Sequence, residues 1–342
     1  SSAGRAPDSP ILPRLSYTER MTAHTNAPSS LPRERKRWIT AIFWINLACQ
    51  IGIIATGGIV RLTKSGLGCS SWPHCEPGEF TPRYHPESGL RPFIEFGNRA
   101  LTLVLLVFAI LVLVATYKHL RTKGKGFVRL SWVPLILTVF QAVWGMLVVY
   151  LHLHPFFVSV HFIVSPILVA SSAVLVYRLY EGNGSARLAV NRGAQFVYWP
   201  LAAVGFIVLI LGTLTTGSGP HSGDANTPQR FPFNPAKIAW LHADFVWLFC
   251  GLLLGVAIVL MVTKAHARSK RALVALTIVT LLQAVIGYIQ YFTGLPEALV
   301  GLHMLGAALL SATIAWLGAS LFTWYPLGEG TAPDDYSKDA QS

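Results

Sequence analysis

Long apolar runs alternate with short polar breaks along most of this chain. Eight of the runs, at about 38–60, 96–116, 131–150, 157–177, 196–216, 239–262, 272–293 and 299–324, are long enough for membrane-spanning helices, which need ~20 apolar residues each. They lack the strict in–out alternation of barrel strands. The pattern predicts an all-α integral membrane protein with eight transmembrane helices. Residues 1–37 and 325–342 are polar and Pro/Ser-bearing or acidic, and are expected to be disordered tails.

The polar letters inside the runs repeat. "QAVWG" at 141–145 returns as "QAVIG" at 283–287, and each glutamine stands 20 residues before a histidine, His161 or His303. Upstream, Thr63-Lys64-Ser65-Gly66 resembles Thr216-Gly217-Ser218-Gly219, and a polar residue follows each near the start of the next helix, Asn98 or His242. The spacing predicts two pseudo-symmetric four-helix bundles, 38–180 and 196–324, joined by a linker at 181–195. Four is even, so both halves enter the membrane the same way, as a parallel repeat. The first half has a longer first loop, 61–94, which holds two cysteines.

Composition agrees: 53% of residues are hydrophobic and 12% charged, against ~25% charged in soluble domains. A net charge of +12 is compatible with a nucleic-acid partner, but its placement argues otherwise. The N-terminal segment, the even connections and the C-terminal tail carry 20 of the 27 Lys and Arg. By the positive-inside rule both termini face the cytoplasm and the odd loops face outward. Lipid is then the expected surroundings, with no nucleic acid.

Candidate chemistry clusters at the outer ends. His242 and His303 begin inward-running helices at similar depth. Facing histidines in a bundle can bind haem iron axially, although two interfacial histidines bonding locally would look the same. In the first half His161 matches His303, but Asn98 stands where His242 stands, and a carboxamide is a poor iron ligand. Glu95 precedes Asn98 by three residues on the same helix face. It is a functional candidate because intramembrane acids are costly, or a helix N-terminal acid favoured by the dipole. Arg61, Lys64 and Arg99 are outer-face cations suited to carboxylates or to lipid phosphate. Cys69 and Cys75 lie outside, where disulfides persist. A zinc site with His74 and His85 is the rival, at a spacing that fits no common zinc pattern. Cys49 and Cys250 read as small core residues. The chain has no phosphate-binding glycine loop, dinucleotide fingerprint or Ser-His-Asp arrangement.

"GGIVRLTKSGLGCSSWPHC", "EFGNR", "VHFIVSP", "LHADF" and "GLHMLGA" together resemble the heme A synthase family, in its bacterial branch with a cysteine pair in the first outer loop. The resemblance covers about 38–324. It implies a plasma-membrane oxidoreductase that converts a methyl group of heme O to the formyl group of heme A, for terminal oxidase assembly. It implies a haem b cofactor held by His242 and His303, and a substrate haem bound by His161 with Asn98, Arg99 and Arg61 nearby. Glu95 falls at the family's proposed catalytic acid and Cys69/Cys75 at its disulfide cysteines. The family usually has histidine where Asn98 stands, which puts bis-histidine ligation of the substrate in question. Implied partners are a heme O synthase, cytochrome c oxidase assembly factors and an electron donor. A diheme b-type quinol oxidoreductase and a parallel-repeat transporter are the rival classes.

Overall fold

The structure, a computed structural model, describes residues 33–221, 223–226 and 228–324. Ile39 onward forms one compact unit; the preceding unit, Ser1–Trp38, is described only from Arg33. Nine α-helices are found among the described residues: α1 Arg33–Leu62, α2 Arg91–His119, α3 Lys125–Leu130, α4 Val133–Tyr150, α5 Pro155–Leu179, α6 Arg192–Ser218, α7 Pro235–Val262, α8 Ala267–Phe292 and α9 Glu297–Ser320. They make eight spans long and apolar enough to cross a membrane, α3 and α4 sharing the third. The protein is an all-α multi-pass membrane protein.

Local chemistry explains the boundaries. Pro134 lies in the first turn of α4. Proline has no N–H to donate and restricts the residue before it, so α3 and α4 remain separate. Pro155 and Pro235 open α5 and α7, where a missing N–H costs little. Asn234 caps α7, its side-chain oxygen accepting from the N–H groups of Ala236 and Lys237 at 3.0 and 3.1 Å. Four helices end in one closing motif: the N–H groups of Ser65, Leu153, Ala265 and Leu295 reach back to carbonyls five residues earlier. Each is preceded by a left-handed residue, at Lys64, His152, Lys264 and Gly294.

The buried apolar side chains fall into two clusters. One gathers Ile39, Phe43 and Leu47 of α1 with Val112 of α2, Phe127 of α3 and Val169 and Leu175 of α5. The other draws wholly on Ala194–Leu321, from α6 to α9. α9 also lends Ala308 and Ala315 to the first cluster. It packs closely on α5, as small residues allow helices to approach in lipid.

Helix starts run a few residues earlier than the sequence reading in several places, and two boundaries matter most. α2 begins at Arg91, not near 96, which puts Glu95 inside the helix. The last helix ends at Ser320 rather than 324. Phe322–Thr323 (β2) instead pairs antiparallel with Arg187–Leu188 (β1) of the linker. Leu321 and Trp324 stay buried, so the run remains apolar although its backbone has left the helix. Apolarity alone does not separate those states. The Arg178 guanidinium lies 4.1 Å from the Trp324 ring centre, and Arg268 pairs with Glu181 at 3.0 Å. The tails expected at 1–37 and 325–342 lie, over 1–32 and 325–342, outside the described residues.

Candidate functional site

Three of the four polar positions singled out by the repeat carry imidazoles, and each imidazole rests on a glycine. A Cβ on Gly145 would lie 3.4 Å from Cε1 of His161; on Gly287, 3.3 Å from Cε1 of His303; on Gly212, 3.4 Å from Cε1 of His242. The glycine of "QAVxG" is therefore space for a ring on the next helix. The glutamine of the first copy supports that helix: Gln141 Nε2 donates to the His161 carbonyl and to Ser165 Oγ, both at 2.8 Å. In the second copy the Gln283 carboxamide fills the space over Gly306, where a side chain would overlap it.

His242 on α7 and His303 on α9 face each other, with ring centroids 6.4 Å apart and planes at 74°. Nδ1 of His161, His242 and His303 is buried in each case without a hydrogen-bond partner. Asn98 is held differently. Thr56 Oγ1 lies 2.7 Å from Asn98 Oδ1 and 3.2 Å from the Ile53 carbonyl. A hydroxyl has one proton, and the shorter contact has the usual O–H···O length. Thr56 therefore donates to Asn98, taking one of the two lone pairs of its oxygen.

Glu95 is buried with both oxygens bonded. Oε1 accepts from Arg99 Nη2 at 2.5 Å and Oε2 from the backbone N–H of Cys69 at 2.7 Å. Arg99 also donates to the carbonyls of Ser71 and His74, at 2.8 and 3.4 Å. Cys69 and Cys75 form a disulfide and both are buried. Gly68 presses on the start of α2 so closely that a Cβ would sit 2.7 Å from the Arg91 carbonyl carbon. The disulfide loop is thus clasped to α2 by one acid and one base four residues apart.

The zinc alternative is overturned: both loop thiols are in the disulfide, and His85 bonds Glu76 at 3.1 Å. That ring and the Arg83 N–H hold the Glu76 carboxyl below the usual carboxylate range, the N–H having the larger effect. Cys49 and Cys250 are free thiols within helices. Arg61 donates from Nε to the His221 carbonyl at 2.6 Å and from Nη2 to the Thr216 carbonyl at 3.0 Å, so part of its capacity is committed to a loop 160 residues away.

One cavity of about 1220 Å³ takes in Glu95, Asn98, Arg99, Arg61, His161, His242 and His303. It exceeds the ~300–1,000 Å³ of ordinary small-molecule pockets. Sequence reasoning overlooked Thr56, the three ring-bearing glycines, and the buried polar residues Gln50 and Thr138 in its wall. The repeated glycine in "QAVxG" was the available signal for two of them.

The profile of the COX15-CtaA family, cytochrome oxidase assembly protein, matches residues 40–315. Among curated relatives, the heme A synthase of Staphylococcus saprophyticus is 24% identical over 305 residues, covering 83% of this chain and 95% of that protein. The heme A synthase of Bacillus mycoides is 24% identical over 304 residues, covering 82% and 91%. That of Bacillus pumilus is 25% identical over 221 residues, covering 58% and 69%.

Proposed function

This chain belongs to the COX15-CtaA family of cytochrome oxidase assembly proteins, and on that premise we propose that it oxidises heme O to heme A. The single observation that carries the reading is the His242–His303 pair. A haem iron held between two imidazoles would need two facing rings with nitrogens free to bind it. The observed 6.4 Å and the unpartnered Nδ1 atoms fit that requirement, so these residues suit a haem b. Bound there, haem b supplies one-electron transfer.

Heme O, the substrate, takes the first half. His161 is the proposed iron ligand, oriented through its backbone by Gln141. Asn98 lies on the same cavity wall with its oxygen turned to Thr56. Glu95 holds or releases a proton beside the reacting methyl group, and Arg99 fixes its carboxylate. Arg61 and Arg99 keep positive charge at the end of the cavity where a haem's propionates would sit. The cavity's size and apolar walls exclude water from two macrocycles placed close together.

The finer architecture belongs to the same proposal. Two four-helix halves, 38–180 and 196–324, are supported by the two buried clusters and by the matched imidazole–glycine contacts. Cytoplasmic termini are supported by the cation distribution. Haem sites toward the extracytoplasmic side are supported by the disulfide clasped to Glu95. A heme O synthase as donor and oxidase assembly factors as recipients complete the reading.

Extraction and mass analysis of haem from the purified protein tests it. Heme O or heme A beside haem b is expected. Haem b alone, turning over with quinol, would replace the synthase with a cytochrome; a colourless preparation would end both.

A further inference from the structure

The first half's share of the cavity contains polar groups that nothing in the protein satisfies. Gln50 on α1 is 1% exposed, and both its Oε1 and its Nε2 lack a hydrogen-bond partner. Thr138 on α4 is 2% exposed with an unpartnered Oγ1, and Gln141 Oε1 is likewise unpartnered. All three residues line the cavity. Buried polar atoms are rarely left this way without a missing ligand or water.

Their depth is specific. Gln50 is twelve residues from the end of α1 and Thr138 twelve from the end of α4, or about 18 Å at 1.5 Å per residue. His161 is six residues into α5, about 9 Å from the same end. The helix ends meet where Gly66 packs against Leu153 and bonds Gly223. Gln50 and Thr138 therefore share one level, about 9 Å beneath the imidazole, on the scale of the distance from a haem iron to substituents at the macrocycle edge.

The second half differs at this level: its unpartnered amide oxygen, Gln290 Oε1, stands two residues from the end of α8 rather than twelve. Thr280, the counterpart of Thr138 in the repeat, spends its hydroxyl on the Leu276 carbonyl at 2.8 Å. The position matching Gln50 is Ala203. The halves thus differ in polar capacity at the level of the haem edge, and heme O differs from haem b in carrying a hydroxyl on its long alkyl substituent.

We propose that Gln50, Thr138 and Gln141 form a subsite that hydrogen-bonds the alkyl-chain hydroxyl of heme O and so selects it over haem b in the first half. The inference rests on the assignment of that half to the substrate. A site whose buried polar groups are left unpaired by the wrong ligand discriminates strongly against it. Gln50 is the specificity residue, able to accept the hydroxyl proton at Oε1 and donate at Nε2.

The test titrates heme O, and separately haem b, into detergent-solubilised protein already carrying haem b in the second half, following the Soret band. Wild type should bind heme O at least tenfold more tightly than haem b at the first-half site. Gln50→Leu should erase that preference while raising the melting temperature of the substrate-free protein, because it removes an unsatisfied buried group. An unchanged preference in both Gln50→Leu and Thr138→Val would overturn the subsite and leave the synthase reading intact. No binding of either haem to the first half of wild type would overturn that reading, and the subsite with it. Should Gln50→Leu lose its second-half haem b, Thr138→Val carries the same comparison.

Discussion

The backbone N–H of Cys69 donates to Glu95 Oε2 at 2.7 Å, so the candidate catalytic acid is tied directly to a disulfide cysteine. With Arg99 bridging Glu95 to the Ser71 and His74 carbonyls, loop and acid form one assembly. Glu95→Ala leaves the buried Cys69 N–H unpaired, at about 1–3 kcal/mol, and frees Arg99 Nη2. Glu95→Gln keeps an acceptor for Cys69. Both variants should lose heme A formation, but only Ala should also loosen the loop. Haem extraction and limited proteolysis between residues 66 and 90 check the two effects.

Replacing both Cys69 and Cys75 with serine should free the loop while leaving the second-half haem b in place. The expected result is a normal haem b spectrum with reduced conversion of heme O. Unchanged conversion and protease resistance would reduce the disulfide to a passive feature.

The glycines beneath the imidazoles offer a test independent of the ligands. Gly287→Val and Gly212→Val push branched side chains into rings only 3.3–3.4 Å from a Cβ. They should lower haem b content nearly as far as His303→Ala or His242→Ala. Gly145→Val should spare haem b and weaken only heme O binding through His161. Haem-to-protein ratios by pyridine haemochrome distinguish these outcomes.

Asn98→His places an imidazole where the second half has one. With heme O bound, it should convert a five-coordinate high-spin spectrum into a six-coordinate low-spin one. Thr56→Val, which removes the hydroxyl bonded to Asn98 Oδ1, should change the spectrum of a carbonyl complex without altering the resting spin state. Absorption and vibrational spectra of the substrate-loaded protein read both.

Glu76 is held below the usual carboxylate range by the Arg83 N–H and the His85 ring. A depressed acid stabilises the folded loop above its unfolded pKa, and that contribution is lost as pH falls through the folded value. Protection of the amides in residues 76–85, relative to intrinsic exchange at each pH, should therefore fall on the acidic side of the glutamate range, and Glu76→Gln should flatten the dependence.

Much of the scaffold was legible because bilayer spans declare themselves by length and apolarity, and because the repeated Gln-to-His spacing marks positions that meet across neighbouring packed helices. His161 and His303 stand out by that spacing and His242 by the matching Thr-x-Ser-Gly helix end before it; the structure sets His242 and His303 facing each other. Arg61's carbonyl partners and Thr56's bond to Asn98 were illegible because they join residues 160 and 42 positions apart. Nothing periodic relates such pairs. Gln50 was passed over as one polar letter in an apolar run. Its importance lies in the missing partner, which only packing reveals. The β1–β2 pair escaped because Phe322 and Thr323 belong to an unbroken apolar run.

That short pairing bears on the transporter class raised by the parallel repeat. Alternating access requires one half to rock against the other. Here the end of the last helix is stitched to the linker through Arg187–Leu188 and Phe322–Thr323, clamped by Glu181 with Arg268 and by Arg178 with Trp324, while α5 and α9 pack face to face. A molecule latched in this way resists such rocking, and under the function proposed above it would keep its two haem sites at a fixed separation.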